Sequence, residues 1–167
     1  GRGRVMTYQT LDEPWQDDEA TAAPQYRAAW EWIEARMGSG WQRILDVGSP
    51  AFVVEGRRRR GAEVMPVDVR PAPAGERFVV DVRALPLWAR GWFDLVTSVC
   101  VLCHVGLGRY GDWVAPDGDR AMLREVRRVL RDGGRLLMMT GPVWLGETVE
   151  DAATGQRVGF GINATAS

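Results

Sequence analysis

The sequence predicts one α/β domain in which helices cover both faces of a doubly wound, mainly parallel sheet. Short apolar runs recur at 43–48, 62–69, 77–82, 93–102 and 135–141. Segments of helical periodicity separate several of them, notably 24–37, 51–61 and 119–134. A chain of 167 residues with 46% hydrophobic content is large enough for a single core.

Taken in order, residues 1–23 are polar and acidic and read as an arm. The segment "PQYRAAWEWIEARM" then sets Tyr26, Trp30, Ile33 and Met37 at helical spacing, read as core rather than ligand platform. Pro24 suits a first turn, and Gly38 and Gly40 end the helix. "RILDVG" is the first strand and "AFVVEGRRRRG" a short helix whose arginine run, 57–60, reads as a solvated face. "AEVMPVDV", "RFVVDV" and "FDLVTSVCVL" are the next three strands. "DRAMLREVRRVLRDGG" is an amphipathic helix with Asp119 as N-cap, Gly133 and Gly134 as stop, and Ala121, Met122, Leu123, Val126, Val129 and Leu130 available for its buried face. "RLLMMTG" is the fifth strand. The expected organisation is an arm at 1–23, a domain at 24–149 and a tail or partial edge strand at 150–167.

Composition narrows the chemistry. All 21 basic residues are arginine, which excludes a Schiff-base lysine and a Walker-type phosphate lysine within this sequence. A net charge of −1 gives no electrostatic case for nucleic acid. No run of apolar residues is long enough to span a bilayer, and the first residues lack a signal-peptide pattern, so the expected setting is cytoplasmic, with reduced thiols and no membrane partner.

The stretch "CVLCH" at 100–104 matches the C-x-x-C-H spacing of haem attachment and the C-x-x-C spacing of redox dithiols. Cys100 and Cys103 nevertheless continue an apolar strand, and one histidine with two cysteines is short of a zinc site. Buried, inert thiols and no metal are the expectation.

In an open α/β sheet, ligands bind beyond the carboxyl ends of the strands. Those ends carry Asp46, Gly48, Ser49, Asp68, Asp81 and residues 97–104. Asp68 lies 22 positions after Asp46, the spacing at which an acid reaches the ribose hydroxyls of a nucleoside cofactor. The glycine loop of dinucleotide sites is missing, because the chain reads Gly48-Ser49-Pro50-Ala51-Phe52. An adenosine cofactor without phosphate therefore fits better than NAD. Asp46 also suits a turn or helix cap, and Asp81 a turn. His104 fits either an acid/base or a loop cap, and Arg109, Tyr110 and Asp112 either an acceptor-side cluster or a structural loop network.

The ordered segments "ILDVGSP", "VMPVDVRP", "VVDVRALP", "FDLVTSVCVLCHV" and "VLRDGGRLLMMT" resemble the successive motifs of class I S-adenosylmethionine-dependent methyltransferases. "HVGLGRYGDWVAPDGD" is similar to a segment of an incompletely characterised methyltransferase-like family. The resemblance implies a Rossmann-like sheet lacking some C-terminal strands of the full fold, which would leave an edge for a second copy or a partner chain. It implies S-adenosylmethionine as cofactor, with Asp46, Gly48 and Ser49 at its methionine end, Asp68 at the ribose, Asp81 and the Val82 amide at the adenine, and Ser98 beside the sulfonium. His104 or Asp112 would take a proton from a hydroxyl acceptor, and Arg109 and Tyr110 would meet that substrate. The function implied is methyl transfer to a small molecule, a sugar or another hydroxyl-bearing metabolite. The alternative is an inactive methyltransferase-like scaffold that binds a partner. Pro50, where the family's loop has a second glycine, restricts the backbone at the cofactor.

Overall fold

In the computed structural model of the chain, residues 24–71, 76–140, 147–150 and 157–160 are described. The arm at 1–23 and most of the tail lie outside them. Five strands, β1 (Arg43–Val47), β2 (Glu63–Asp68), β3 (Phe78–Val79), β4 (Phe93–Val99) and β5 (Leu130–Met139), form one sheet in the order β3-β2-β1-β4-β5. Every pairing in it is parallel. The chain steps outward from β1 through β2 to β3, then returns to place β4 on the other side of β1. The strand order therefore reverses between β1 and β4, the position where an α/β sheet opens a ligand crevice.

Parallel strands buried on two faces need helices on both. Alternation along β1 sends Ile44 to one face and Leu45 and Val47 to the other. On the first face Ile44 packs with Val64, Leu95 and Val99 against Trp30, Ile33 and Met37 of α1 (Pro24–Met37) and Val53 and Val54 of α2 (Ala51–Arg59). Gly38 and Gly40, at φ 71° and 92°, end α1 as the sequence predicts. On the second face Leu45, Val47, Val67 and Val96 meet Met122, Val126 and Val129 of α3 (Gly118–Val129), with Val82, Leu85 and Ala89 from the segment before β4.

Several boundaries differ from the sequence reading. Helix α3 stops at Val129, well short of Gly134, because Leu130 turns extended (φ −70°, ψ 135°) and pairs with Phe93. The register then jumps to Leu95↔Arg135, so residues 131–134 form a bulge rather than a helix end. Gly134 suits that bulge, since a Cβ there would come within 2.9 Å of the Arg131 carbonyl and 3.2 Å of that of Asp94. Asp119 lies inside the first turn of α3, where its Oδ1 accepts the Arg120 amide at 2.7 Å; Asp117 holds the cap position and makes no side-chain capping bond. Leu123 points to solvent rather than the core. The third apolar run forms only the exposed pair Phe78–Val79, and the fourth ends at Val99 before a single 3-10 turn, Leu102–His104. Arg157–Phe160 (β7) is a strand, but it pairs antiparallel with Glu147–Glu150 (β6) in a separate two-stranded sheet.

Candidate functional site

Beyond the carboxyl ends of β1, β2 and β4 lies a cavity lined by Gly48, Pro50, Asp68, Arg70, Asp81, Val82, Cys100, Val101, His104, Tyr110 and Asp112, among others. Gly48 begins the loop after β1. Its φ of 80° favours glycine, and a Cβ there would sit 2.5 Å from Val101 Cγ2 and 3.7 Å from Asp68 Oδ2. The first strand, the second strand and the turn after β4 thus converge on one residue that can carry no side chain.

Asp46 and Ser49 do not reach the cavity wall; they build the floor beneath it. Asp46 is fully buried, and its Oδ1 accepts the Ser49 amide at 3.1 Å. Its Oδ2 accepts the hydroxyls of Ser49 at 2.9 Å and Thr97 at 2.7 Å, together with Arg57 Nη1. The sequence reading of 57–60 as a solvated face is therefore wrong at Arg57, which is 1% exposed and also pairs with Glu34 at 2.7 Å. Burial alone would lower the Arg57 pKa, but Asp46 and Glu34 outweigh it and hold the guanidinium above its ordinary value. The signal was present: Val53, Val54 and Arg57 share one helical stripe, and an inward-facing Asp46 lies beneath it.

The same tripeptide, Asp-Val-Arg, follows β2 and β3, and each arginine folds back on its own aspartate. Asp68 Oδ1 accepts from the Arg70 amide at 2.9 Å and Nε at 3.2 Å. Asp81 Oδ1 accepts from the Arg83 amide at 2.8 Å and Nε at 2.9 Å, and its Oδ2 from Nη2 at 2.7 Å. Reading Asp68 and Asp81 as acids alone missed Arg70 and Arg83, although the repeated tripeptide marks both.

The turn after β4 closes the cavity. Cys100 adopts φ 54°, the left-handed region, and its amide donates to Met139 O at 2.7 Å. Burial, then the neighbouring Cys103, pushes the Cys100 thiol above its usual pKa. Both thiols are free and half-buried, and among the described residues no three His, Cys, Asp or Glu side chains could share a metal. His104 meets the Tyr110 ring edge-to-face at 5.5 Å, and the Arg70 guanidinium lies 4.2 Å over the same ring. Tyr110 thereby links the loop after β2 to the loop after β4. Arg109 stands 5.4 Å from that ring, away from the cavity lining. Ser98 is fully buried below the rim and does not line the cavity.

Asp112 is held from two sides: Gly106 N–H donates to its Oδ2 at 2.7 Å, and Arg83 Nη2 lies 3.6 Å from that oxygen. Its Oδ1 is buried and without a hydrogen-bond partner. The loop bearing it is cinched by glycines. A Cβ on Gly106 would meet Ala115 O at 2.4 Å, and one on Gly118 would meet Val105 O at 2.6 Å.

Two solved structures share this architecture. One is the Burkholderia thailandensis 1,6-didemethyltoxoflavin-N1-methyltransferase with bound 1,6-didemethyltoxoflavin and S-adenosylhomocysteine, at 20% identity and a TM-score of 0.59, covering 86% of this chain and 64% of that one. The chain has a Rossmann-like methyltransferase fold. The other is the PH0226 protein from Pyrococcus horikoshii OT3, at 20% identity and a TM-score of 0.55, covering 72% of this chain and 57% of that one. The chain thus spans less than two thirds of either structure. A family model described as "Caenorhabditis protein of unknown function, DUF268" matches residues 82–148, which include β4, the loop with Asp112, α3 and β5. No curated protein matches the chain.

Proposed function

We propose that the chain binds S-adenosylmethionine and transfers its methyl group to a small hydroxyl-bearing metabolite, sugars included. The observation that carries this is the meeting of Gly48 and Asp68 at the strand-order reversal, where a carboxylate lies beside a glycine with no room for a side chain. That cradle suits a ribose pressed against backbone with its hydroxyls on Asp68. Asp68 Oδ2 keeps accepting capacity, because among the described residues Arg70 Nη2 reaches it only at 3.4 Å. The cavity offers neither a lysine nor a glycine-rich phosphate loop, which agrees with an adenosine cofactor lacking phosphate.

When bound, the cofactor supplies an electrophilic methyl group, and the protein's tasks are alignment and exclusion of water. Asp68 would hold the ribose, Val82 and its valine neighbours would enclose the base, and Gly48 would let the chain approach closely. His104 and Tyr110 stand at the rim with Arg70 over the tyrosine, where they would shield an acceptor from solvent. His104, an imidazole at the cavity rim, is the group suited by its chemistry to take a hydroxyl proton. Pro50 is accommodated at the helix start: its carbonyl accepts from Val53 and Val54 in α2, where a missing N–H costs little.

Calorimetric titration with S-adenosylmethionine and S-adenosylhomocysteine tests the reading. Saturable binding that weakens by about tenfold or more in Asp68→Ala is expected. No heat with either compound would overturn it. The scaffold reading draws on a specific feature, the arginines already seated on Asp68 and Asp81. Binding without S-adenosylhomocysteine production across a panel of hydroxyl acceptors would favour it.

A further inference from the structure

The C-x-x-C segment forms part of the cavity wall, and methyl transfer as proposed uses neither of its sulfurs. Cys100 lines the cavity, and Cys103 lies in the 3-10 turn Leu102–His104 that follows. Both thiols are free and only half-buried, against the sequence expectation of buried, inert sulfur.

Backbone geometry brings the two cysteines together. Val101 is helical (φ −96°, ψ −47°) and Leu102 opens the 3-10 turn, so residues 100–103 fold as an open turn. The ends of such a turn lie within about 7 Å of each other at Cα, and a disulfide bridges about 4.4–6.8 Å. The Cys103 side chain folds back across the turn, its thiol donating to the Cys100 carbonyl at 3.6 Å. The two sulfurs also sense each other: after burial, Cys103 is the second cause that raises the Cys100 pKa.

The residue enclosed between them touches the centre of the site. Val101 Cγ2 lies 2.5 Å from where a Cβ on Gly48 would stand, so Val101 packs directly on that glycine. His104, next to Cys103, is at the cavity rim. The Cys100 amide donates to Met139 O at 2.7 Å, which anchors one end of the turn to β5. Closing a short ring around Val101 and Leu102 would therefore be felt at Val101 and His104 rather than at the anchored end.

We infer that Cys100 and Cys103 form a reversible disulfide, and that the bridge shifts Val101 on Gly48 and so sets how well the cavity holds its ligand. The coupling to ligand rests on the cofactor reading; the disulfide does not. The oxidant is a small-molecule disulfide of the glutathione class. One cysteine thiolate attacks it, breaking its S–S bond and expelling one glutathione thiolate. The other cysteine thiolate then attacks the mixed disulfide and expels the second. Two electrons pass from the cysteine pair to the oxidant, and the two cysteine protons end on the two glutathione thiols.

The experiment equilibrates the full chain with mixtures of reduced and oxidised glutathione, alkylates it in denaturant and reads its mass. The expected product is a single chain lighter by about two mass units that takes up no alkylating agent until it is reduced. Cys100→Ser and Cys103→Ser are each expected to yield only the mixed disulfide with glutathione. By calorimetry, the bridged chain is expected to bind S-adenosylhomocysteine about threefold or more weakly than the reduced chain. Saturating ligand should then shift the glutathione equilibrium toward the dithiol by the same factor. Free thiols, glutathione adducts or linked pairs of chains in place of the internal bridge, at every glutathione ratio, would overturn the inference. A bridge that leaves ligand affinity unchanged would overturn its coupling to the cavity. A bridge that forms in a chain binding no S-adenosylhomocysteine in either state would overturn the cofactor reading and the coupling, while the disulfide stood.

Discussion

Arg57, in the last turn of α2, closes on Asp46 at the end of β1 with both side chains removed from solvent. Through Asp46 the pair also fixes Ser49 and Thr97, so it ties α2, β1, the cofactor-side loop and β4 together. Removing the cation alone would strand a buried carboxylate. Arg57→Met is expected to cost about 3–5 kcal/mol in urea unfolding. Adding Asp46→Asn to that variant is expected to recover part of the loss, because the stranded charge is then gone. A double variant no more stable than Arg57→Met alone would show that the pair is not coupled.

Acid should loosen the parts of the sheet held by Asp94 and Glu125. Asp94 accepts the Gln42 and Arg43 amides at 3.1 and 2.9 Å, and Arg131 reaches it from the bulge. Burial would raise its pKa, but these donors more than offset that and hold it below the ordinary 3.8. Glu125 is held below its ordinary 4.5, first by the hydrogen bonds of Arg128, against burial, and then by the Leu85 amide. Depressed carboxylates contribute stability above their unfolded pKa and lose it as pH falls through the folded one. The melting temperature should therefore drop below about pH 4.5, and Asp94→Asn should flatten that drop. An unchanged acid limb in Asp94→Asn would contradict this.

The succession of strand segments along the chain, α1 in full and the stop at Gly38 were legible in the sequence because each rests on local periodicity and turn chemistry. Gly48, Asp68, Asp81, Val82, His104, Tyr110 and Asp112 line one cavity because strand ends in such a sheet point at one crevice. What escaped was partnership across distance. Nothing in a four-arginine run says that its first member turns inward, except the stripe it shares with Val53 and Val54. The register jump at Leu95↔Arg135 likewise depends on β4 and cannot be read from α3 alone. Asp46 and Ser49 were placed at the ligand because they occupy a strand end, but their hydrogen bonds turn them toward the core.

The loop carrying Tyr110 and Asp112 depends on two glycines pressed against backbone. Gly118 lies with Gly106 Cα only 2.8 Å from where its Cβ would be, and Gly106 has φ 84° besides. Because the obstacles are main-chain atoms, no rotamer change relieves them. Gly118→Ala is expected to destabilise by about 1–3 kcal/mol, and to weaken S-adenosylhomocysteine binding by displacing Asp112. Gly111 faces open space but has φ 83°, so its alanine variant should show backbone strain of about 1 kcal/mol without that coupled loss of binding. Equal binding losses in the two variants would separate the loop's packing from its role at the cavity.

Cys100 offers a chemical reporter of the cavity. It lines the wall, sits at φ 54° and has a thiol held above its ordinary pKa by burial and by Cys103. The thiolate is the reactive form, so at pH 7.5 iodoacetamide should modify Cys100 more slowly than a free cysteine in solution. The rate should still be rising above pH 9, where an unperturbed thiol is levelling off. In a Cys103→Ser background the labelled site is unambiguous by mass, and loss of the neighbouring thiol should bring the profile partway back toward normal. Saturating S-adenosylhomocysteine is expected to protect Cys100 if the ligand fills the cavity between β1 and β4. Labelling that proceeds at the same rate in its presence, at concentrations that calorimetry shows to be saturating, would place the ligand elsewhere.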